Sequence, residues 1–409
     1  MRPLLILSFC TLVQTASGLL SRLGATTAPP SSENPAAAAI LQDTFTPTFV
    51  APQLTPVQFL FLSSPAQKKV VYSELRNFKS TYGRTFPLIE EDLVEPAGIA
   101  YDNTKGHLYV ADRGASRIYR YKILSKEVGS GSEKRAGVAV DGVRLCVVEG
   151  SPVEWVSLDP IGNLYFTVAG TNSVNKIEHD VLKKLGEGIY QCGDLKKASE
   201  SSLLAKPEKE LEADIALDAS QRASEVPTDD DDTEPEILSL YEGSLESHVS
   251  VPSGVSSDGR RLWWGNGVEG RTAGSLVEGQ AAPRASLLAS GSSSSQPFPA
   301  VALTSVVPTT YGVAHSNTMV FFSTNQTGTG SVYAVSRDGS TTELVSGLGM
   351  PRGLVWDGDN TVYVADQAAN KVFSVPVGRF MDNAPIEQSV LCQGVFGLAL
   401  RTENSRIGT

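Results

Sequence analysis

The sequence has few of the residues and runs that mark several functional classes. Only 4 of its 409 residues are His, 4 are Cys and 7% are aromatic. It contains no Gly-x-Ser-x-Gly elbow, no His-Glu-x-x-His and no Cys-x-x-Cys, which argues against common hydrolase, metalloprotease and dithiol sites. No Lys/Arg-rich patch favours nucleic acid as a partner. Beyond the amino terminus, no apolar run reaches the roughly 20 residues of a membrane helix.

The acidity of the chain is concentrated in one segment. The whole sequence has a formal charge of −11. Residues 194–247 hold sixteen Asp or Glu against five Lys or Arg, so this segment accounts for that entire charge. Such a composition favours disorder, and we expect an acidic disordered insertion there, either solvated or used to attract calcium or a partner. A second flexible loop is expected at 281–300, which contains four consecutive serines.

The amino-terminal residues predict a targeting segment. Arg2 is followed by an apolar stretch and by the small residues Ala16-Ser-Gly18, as in a secretory signal peptide over 1–18. A flexible leader is expected over 19–56, and a tail over 401–409. The protein is therefore predicted to be secreted or to lie in the lumen of the secretory pathway. An alternative is bipartite targeting to a plastid, because Phe49-Val-Ala-Pro52 resembles a motif of such leaders.

Three cysteines remain after removal of the predicted signal. They are Cys146, Cys192 and Cys392. An odd number leaves at least one thiol unpaired within the chain, and the sequence leaves the pairing of the others open.

One sequence pattern occurs twice, at positions far apart in the chain. Residues 96–123 and 351–377 both run Pro-x-Gly, an apolar strand, an Asp-containing turn, Tyr-Val-Ala-Asp and a third alternating strand. Weaker copies begin near Val153, Pro252 and Thr309. Units of several short strands that recur at roughly 40 residues are typical of β-propeller blades. Five blades are thus predicted.

A sixth blade is predicted from the two ends of the domain. Phe396–Leu400 has the pattern of an inner strand without partners, whereas Phe59–Ser64 and Lys69–Ser73 have the pattern of second and third strands without an inner strand. Joining them closes the ring and removes open sheet edges. The fold class is therefore all-β, a six-bladed β-propeller over 57–400, closed by strands from both termini and carrying long disordered insertions.

The repeat resembles the NHL repeat, and it is also similar to YWTD propellers and to gluconolactonase and strictosidine-synthase-like propellers. The matching residues are Pro96, Gly98, Tyr109–Asp112, Ser116, Arg117 and Ile118 in one copy, and Pro351, Gly353, Tyr363–Asp366, Asn370, Lys371 and Val372 in the other. The resemblance implies six blades, but it does not select among the functions of these families.

Structural roles are expected for four residues of the repeat. Asp112 and Asp366 end second strands, where a carboxylate can accept backbone N–H bonds from the following turn. Arg117 and Lys371, five residues later, are placed to pair with them.

A lactonase-like metal site is not predicted. That resemblance implies Glu and amide ligands on the axis, but the matching positions hold Ala97, Ser253, Tyr311 and Arg352. No cofactor and no metal are therefore expected. His315, after an inner strand, is more readily structural or solvated than catalytic.

A ligand site is predicted at the mouth of the channel, where several polar residues lie at or next to the ends of strands. The alternative is that these positions are polar because they are solvated. Arginine and amide side chains can bind a carboxylate or a sugar hydroxyl. The candidates are Arg113, Asn172, Asn266, Asn325, Arg352 and Gln367. Asn325 also begins a glycosylation sequon, Asn325-Gln-Thr327.

The sequence thus favours a non-catalytic, monomeric binding propeller for a protein or glycan partner. It does not favour nucleic acid as a partner. The alternative is a diverged lactonase or strictosidine-synthase-like hydrolase with its active site in the central channel.

Overall fold

The computed structural model describes residues 57–75, 83–128, 135–189, 191–198, 236–243, 245, 247–281, 300–326, 328–377 and 387–403. All of them lie in the unit Leu54–Thr409. The predicted signal, leader, most of the acidic insertion, the loop 282–299 and the last six residues lie outside the described residues.

Six sheets account for the strands of the described residues, one for each predicted blade, and all their strand pairs are antiparallel except one pair at the outer edge of blade 2. In blades 1, 3, 4 and 5 the strands lie in sequence order from the innermost to the outermost. Blade 1 consists of β4 (Pro96–Asp102), β5 (His107–Asp112), β6 (Arg117–Val128) and β7 (Arg135–Glu149). Blade 3 consists of β13 (Pro252–Ser257), β14 (Arg261–Asn266), β15 (Leu276–Gln280) and β16 (Val301–Thr304).

Blades 4 and 5 have the same order. Blade 4 consists of β17 (Val313–His315), β18 (Met319–Gln326), β19 (Thr329–Ser336) and β20 (Thr341–Leu348). Blade 5 consists of β21 (Pro351–Trp356), β22 (Thr361–Asp366), β23 (Lys371–Pro376) and β24 (Glu387–Leu391). Turns of Asp and Gly join these strands, and Gly339 and Gly358 adopt the positive φ angles of 83° and 92° that such reversals need.

The two ends of the domain close the ring, as predicted. Blade 6 consists of β25 (Leu398–Glu403), β1 (Val57–Ser64), β2 (Lys69–Leu75) and β3 (Thr85–Ile89), in that order. Leu62 lies opposite Leu398 in the β1–β25 pair, and the Phe396 N–H donates to Ser63 O at 2.9 Å. Because β25 continues to Glu403, the boundary predicted between propeller and tail at 400 is three residues too early.

Blade 2 departs from the common pattern. It contains β8 (Trp155–Leu158), β9 (Leu164–Val168), β10 (Ser173–Ile177), β11 (Lys196–Ala198) and β12 (Glu236–Glu242). β12 pairs with β10 and is the fourth strand, while β11 adds a parallel fifth strand at the outer edge. The prediction of disorder over all of 194–247 is therefore wrong for these two strands. The prediction followed the average charge of the segment and overlooked the alternation of Ile237, Ser239 and Tyr241 in β12.

A disulfide links the outer strand of blade 1 to the segment before β11. Cys146 on β7 is bonded to Cys192, with the two Cα atoms 5.6 Å apart. Cys392 is a buried free thiol, and burial raises its pKa to about 11. The pairing that the sequence left open is thus defined.

Glycine allows the inner strands to approach one another. Five of the six inner strands have a glycine at the position that corresponds to the Gly of Pro-x-Gly. A Cβ atom on Gly98 or Gly353 would lie 2.6 Å from a backbone oxygen of the next inner strand, closer than real contacts allow. The Gly98 N–H instead donates to Glu154 O at 2.8 Å, and the Gly353 N–H donates to Phe396 O at 2.9 Å. Neighbouring blades are therefore joined at the axis through backbone bonds.

Two α-helices occur among the described residues, α1 (His179–Gly186) and α2 (Gly270–Ala273). In that part of the chain, neither helix has the length or apolar character required to cross a bilayer.

Candidate functional site

The strand order gives the axis two distinct ends. All six inner strands run in the same direction, so their first residues meet at one end and their last residues at the other. We call these ends the upper face and the lower face. The turns between second and third strands lie at the upper face, and the turns between first and second strands lie at the lower face.

The residues predicted to bind a ligand all map to the upper face. Arg113, Asn172 and Gln367 lie in turns after second strands, Asn266 and Asn325 lie near the ends of second strands, and Arg352 is the second residue of an inner strand. Arg352 and Gln367 are brought together, because the Arg352 Nε–H donates to Gln367 Oε1 at 3.2 Å. The others do not join them in a single cluster of hydrogen bonds within the described residues.

Asn266 is bonded within the fold. Its side chain is fully buried. Asn266 Oδ1 accepts the Ser250 N–H at 2.9 Å, and its Nδ2 donates to His248 O at 3.1 Å and to Gly274 O at 2.8 Å. These backbone bonds use both polar atoms of the amide, so Asn266 holds the loops around it, and its role in ligand binding stays a prediction.

Other predicted ligand residues also hold the loops of the upper face. The guanidinium of Arg113 forms ion pairs with Glu95 and, at 3.1 Å, with Glu154. Asn172 Oδ1 accepts the Val251 N–H at 2.8 Å. The side chain of Asn325 stands at the end of β18, and its Oδ1 is buried with no partner among the described residues. Its glycosylation stays a prediction.

The repeat aspartates bind more backbone than the sequence indicated. Asp112 accepts the Ala115 N–H of the following turn at 3.2 Å, as expected, but it also accepts the Val94 and Glu95 N–H groups at 2.9 and 2.8 Å. Asp366 repeats this arrangement with Ala369, Gly349 and Met350. Each carboxylate therefore fixes the segment that leads into the inner strand of its own blade.

The basic partners of the repeat differ from the expectation. Arg117 forms its ion pair with Glu149 on β7, across the sheet from it, rather than with Asp112. Lys371 is aligned with Asp366 through the backbone register of β22 and β23.

Aromatic side chains fill the upper part of the axis. Blade 2 has Trp155 where the other five inner strands have glycine. The Trp155 ring packs on Phe396 of blade 6, with the ring centroids 4.9 Å apart, and the two side chains are only 5% and 4% exposed. Because blade 1 lies between these two blades, this contact reaches past the small residue Ala97. The predicted channel mouth is therefore closed by apolar packing.

A cation–π stack lies beside this aromatic contact. The guanidinium of Arg352 lies 4.0 Å from the centroid of Tyr311 and 5.7 Å from that of Phe396. Arg352 and Tyr311 are both half-buried, so the stack presents an edge to solvent.

The lower face has an open cavity of about 460 Å³ on the axis. All six inner strands contribute to its wall, and its deepest layer is a ring of branched aliphatic side chains, one from each blade. This floor consists of Ile99, Val156, Val255, Val313, Leu354 and Leu398. Two residues further along each inner strand a second layer is more varied. It consists of Tyr101, Leu158, Ser257, His315, Trp356 and Leu400.

A Ser–His pair lies in the wall of the cavity. Ser256 Oγ and His315 Nδ1 are 2.7 Å apart, and either atom can be the donor, depending on the tautomer. Burial lowers the pKa of His315, so the ring is neutral near pH 7. The ring also packs on Trp263, with the centroids 5.1 Å apart.

Carboxylates at the rim stabilise the turns of the lower face. Asp102 Oδ1 accepts the Thr104 N–H at 2.8 Å and the Lys105 N–H at 3.1 Å. Burial opposes ionisation of Asp102, but these hydrogen bonds outweigh it, and its pKa is lowered. Asp159 and Asp357 accept backbone N–H groups of their own turns in the same way. Among the described residues, no group of His, Cys, Asp and Glu side chains has the arrangement of a metal site.

The lower cavity was not predicted from the sequence, although its signal is present there. The floor residues follow the glycine position directly in every blade, so aligning the six inner strands would have revealed one apolar ring. The cavity itself depends on the side chains further along, and small residues such as Ala100 and Ala314 leave the space there.

Comparisons with known proteins support the prediction of an NHL-type repeat. Residues 93–121, the first of the two clear copies, match the NHL repeat. A search of curated proteins returns no match. The chain is therefore a six-bladed β-propeller with a repeat of NHL type.

Several solved structures are similar to this chain at low sequence identity. A chain of a nidogen/laminin complex is 12% identical with a TM-score of 0.48, over 84% of this chain and 98% of that one. Virginiamycin B lyase from Staphylococcus aureus is 13% identical with a TM-score of 0.34, over 72% of this chain and 69% of that one. AztD from Citrobacter koseri is 11% identical with a TM-score of 0.40, over 87% and 100%. Similarities of this degree do not identify a function.

Proposed function

We propose that this chain is a non-catalytic binding propeller, secreted or held in the lumen of the secretory pathway, that engages a protein or glycan partner through its upper face. The observation that carries the proposal is the half-exposed stack of Arg352 on Tyr311 above a closed axis. Arginine and tyrosine are enriched at the energetic centres of protein interfaces, where a rigid side chain loses little entropy on binding.

The surroundings of the stack support a protein partner over a glycan. Three valines on loops of the upper face are exposed: Val94 by 49%, Val251 by 37% and Val268 by 45%. Interfaces combine such apolar groups with a polar rim. The ion pairs of Arg113 with Glu95 and Glu154 supply fixed charges between the valines and the axis.

The chemistry of the upper axis supports a non-catalytic role. The positions that would carry metal ligands in a lactonase-like propeller hold other residues, which make contacts within the fold. Ala97 is buried, Ser253 Oγ lies 3.3 Å from Thr310 Oγ1, and Arg352 covers Tyr311. Trp155 and Phe396 fill the space that a substrate would need at this level.

The disulfide supports the proposed compartment. Disulfides such as Cys146–Cys192 form and persist in oxidising compartments and are rare in the cytosol. The predicted signal peptide is consistent with this, and the plastid alternative is tested by the same localisation experiment. A fusion of residues 1–56 to a fluorescent protein should enter the endoplasmic reticulum; accumulation in a plastid would support the alternative.

Affinity capture tests the proposed surface. The immobilised propeller is incubated with proteins of its own compartment and, separately, with a glycan array. We expect Arg352→Ala to weaken capture at least 10-fold, since truncation of an interface centre costs more than about 1.4 kcal/mol. Arg337→Ala is the matched control, because Arg337 is exposed in the β19–β20 turn of the lower face. Equal capture by the two variants would rule out the upper face.

A hydrolase is the second candidate, and the Ser256–His315 pair favours it. A neutral His within 2.7 Å of a Ser hydroxyl can act as a general base. It ranks second because a nucleophile of this kind needs a third group to orient the base, and Asp258 bonds to Arg261 rather than to His315. Turnover of esters or lactones that Ser256→Ala abolishes would establish the hydrolase and contradict the non-catalytic proposal.

A further inference from the structure

We propose that the lower cavity is a second binding site, independent of the upper face, for a largely apolar small molecule that carries one hydroxyl group and no negative charge. The site is separate from the proposed partner surface, because the packed pair of Trp155 and Phe396 lies between them on the axis.

The size of the cavity sets the kind of ligand. Pockets for small organic molecules have volumes of about 300–1,000 Å³, and a cavity of about 460 Å³ lies within that range. All six inner strands contribute to its wall, so the site is part of the rigid centre of the fold. It therefore needs no rearrangement of a loop to form.

The floor selects an apolar group. Its six side chains are all Ile, Val or Leu, each between 3% and 8% exposed. Water above such a floor finds few hydrogen-bond partners, so its replacement by hydrocarbon is favourable, by about 25 cal/mol for each Å² of apolar surface covered. Trp356, half-buried and stacked on Phe321 at 5.6 Å, gives the wall one flat aromatic surface.

The Ser–His pair selects the hydroxyl group. The pair is both a donor and an acceptor, because a neutral imidazole has one nitrogen of each kind and the Ser256 hydroxyl can rotate. A hydroxyl group on the ligand can donate and accept in the same way. The Ser256–His315 hydrogen bond uses one donor and one acceptor of the pair. An apolar ligand without a hydroxyl would leave the remaining donor and acceptor of the pair without a partner, which costs about 1–3 kcal/mol.

The rim disfavours an anion. Every charged side chain that lines the cavity is a carboxylate, namely Asp102, Asp159 and Asp357. Each of the three accepts backbone N–H groups of its own turn. A carboxylate or phosphate on the ligand would face these charges at short range, and like charges at an interface oppose binding.

A pair of probes with one apolar body tests the chemistry. The probes are 4-phenylbutan-1-ol and 4-phenylbutanoate, titrated calorimetrically into the full chain and followed by tryptophan emission. We expect saturable binding of the alcohol and at least 10-fold weaker binding of the anion. Absence of saturable alcohol binding, or equal affinity for the anion, would overturn the proposal.

Two variants locate the binding. Ser157 is half-buried in the cavity wall and its side chain makes no hydrogen bond within the described residues, so Ser157→Phe should fill the cavity and weaken alcohol binding at least 10-fold. Ser346→Phe, on the exposed face of β20, is the matched control and should bind as the wild type does. Unchanged binding in Ser157→Phe would overturn the site.

A third variant tests the hydroxyl contact without filling the cavity. Ser256→Ala should reduce the affinity for the alcohol several-fold and leave the melting temperature close to that of the wild type. It should leave protein capture by the upper face unchanged, which separates this site from the proposed function. Unaltered affinity for the alcohol in Ser256→Ala would overturn the role of the pair.

Discussion

The two ends of the propeller axis are built from the same repeat but have opposite properties. At the upper face, carboxylates bind the loops that lead into the inner strands, and Trp155 fills the axis. At the lower face, carboxylates accept backbone N–H groups of their own turns, and the axis is open to a cavity of about 460 Å³. The packing at the upper end includes one departure from the repeat, since Trp155 takes the place of a glycine, whereas the lower cavity depends on small residues such as Ala100 and Ala314. The repeat therefore sets the ring, and side chains outside its common pattern give the two ends different properties.

The largest expected effect is the loss of the tryptophan that closes the upper face. Trp155→Ala should reduce the free energy of unfolding by about 3–5 kcal/mol, because the ring is buried and leaves a cavity. Trp356→Ala, at the half-buried wall of the lower cavity, should cost clearly less. Urea unfolding of both variants measures the difference, and an equal or reversed order would contradict the asymmetry.

The disulfide should have the next largest effect. Cys192→Ser opens a loop of 46 residues, and loop-closure entropy predicts a loss of up to about 4 kcal/mol. We expect the melting temperature to fall while the ligand of the lower cavity still binds, because the bond lies at the outer strand of blade 1. Cys392→Ser, at the buried free thiol, is a control in which no loop is opened. A stability loss no larger than that of the control would contradict the proposed contribution.

Removal of an aspartate should cost more stability at the upper face than at the lower face. Asp112→Ala removes the acceptor of three backbone N–H groups at the upper face and should cost about 2–3 kcal/mol. Asp357→Ala removes a turn acceptor at the exposed rim and should cost about 1 kcal/mol. Chemical denaturation of the two variants compares them directly. A larger loss for Asp357→Ala would reverse the comparison.

The smallest effect concerns acid stability. His107 begins β5 at the lower face, and burial together with the positive charge of Arg120 lowers its pKa from 6.5 to about 4. The unfolded chain therefore binds a proton on His107 at a higher pH than the folded chain does. Stability that this group contributes near neutral pH is lost as the pH falls from about 6.5 to about 4.

A variant and a pH series test this acid sensitivity. His107→Gln should reduce the fall in melting temperature between pH 7 and pH 4.5, by an amount equivalent to about 1 kcal/mol after allowance for partial solvent exposure. Identical pH profiles for the wild type and the variant would show that His107 does not contribute.

The fold was predictable because its determinants are local and repeated. Pro-x-Gly, the Asp turn and Tyr-Val-Ala-Asp recur in order, and the incomplete halves at residues 59–73 and 396–400 can complete only one another. The fourth strand of blade 2 was missed because Glu236–Glu242 lies in an acidic segment whose average composition outweighs its alternation.

The candidate site was less predictable because it depends on side-chain packing between blades. Asn266 has the residue type of a ligand group, and only the positions of Ser250, His248 and Gly274 reveal that its amide is used internally. The contact of Trp155 with Phe396 joins residues 241 positions apart in the chain. No local pattern in the sequence marks that contact.

Acrylamide quenching of tryptophan emission tests the asymmetry of the axis most directly. The chain has four tryptophans, of which Trp155, Trp263 and Trp264 are at most 5% exposed, whereas Trp356 lines the open cavity. Trp356→Phe should remove most of the quenchable emission, and Trp155→Phe should leave the quenchable fraction nearly unchanged. If Trp155→Phe removed the quenchable emission and Trp356→Phe did not, the closed end and the open end would be reversed.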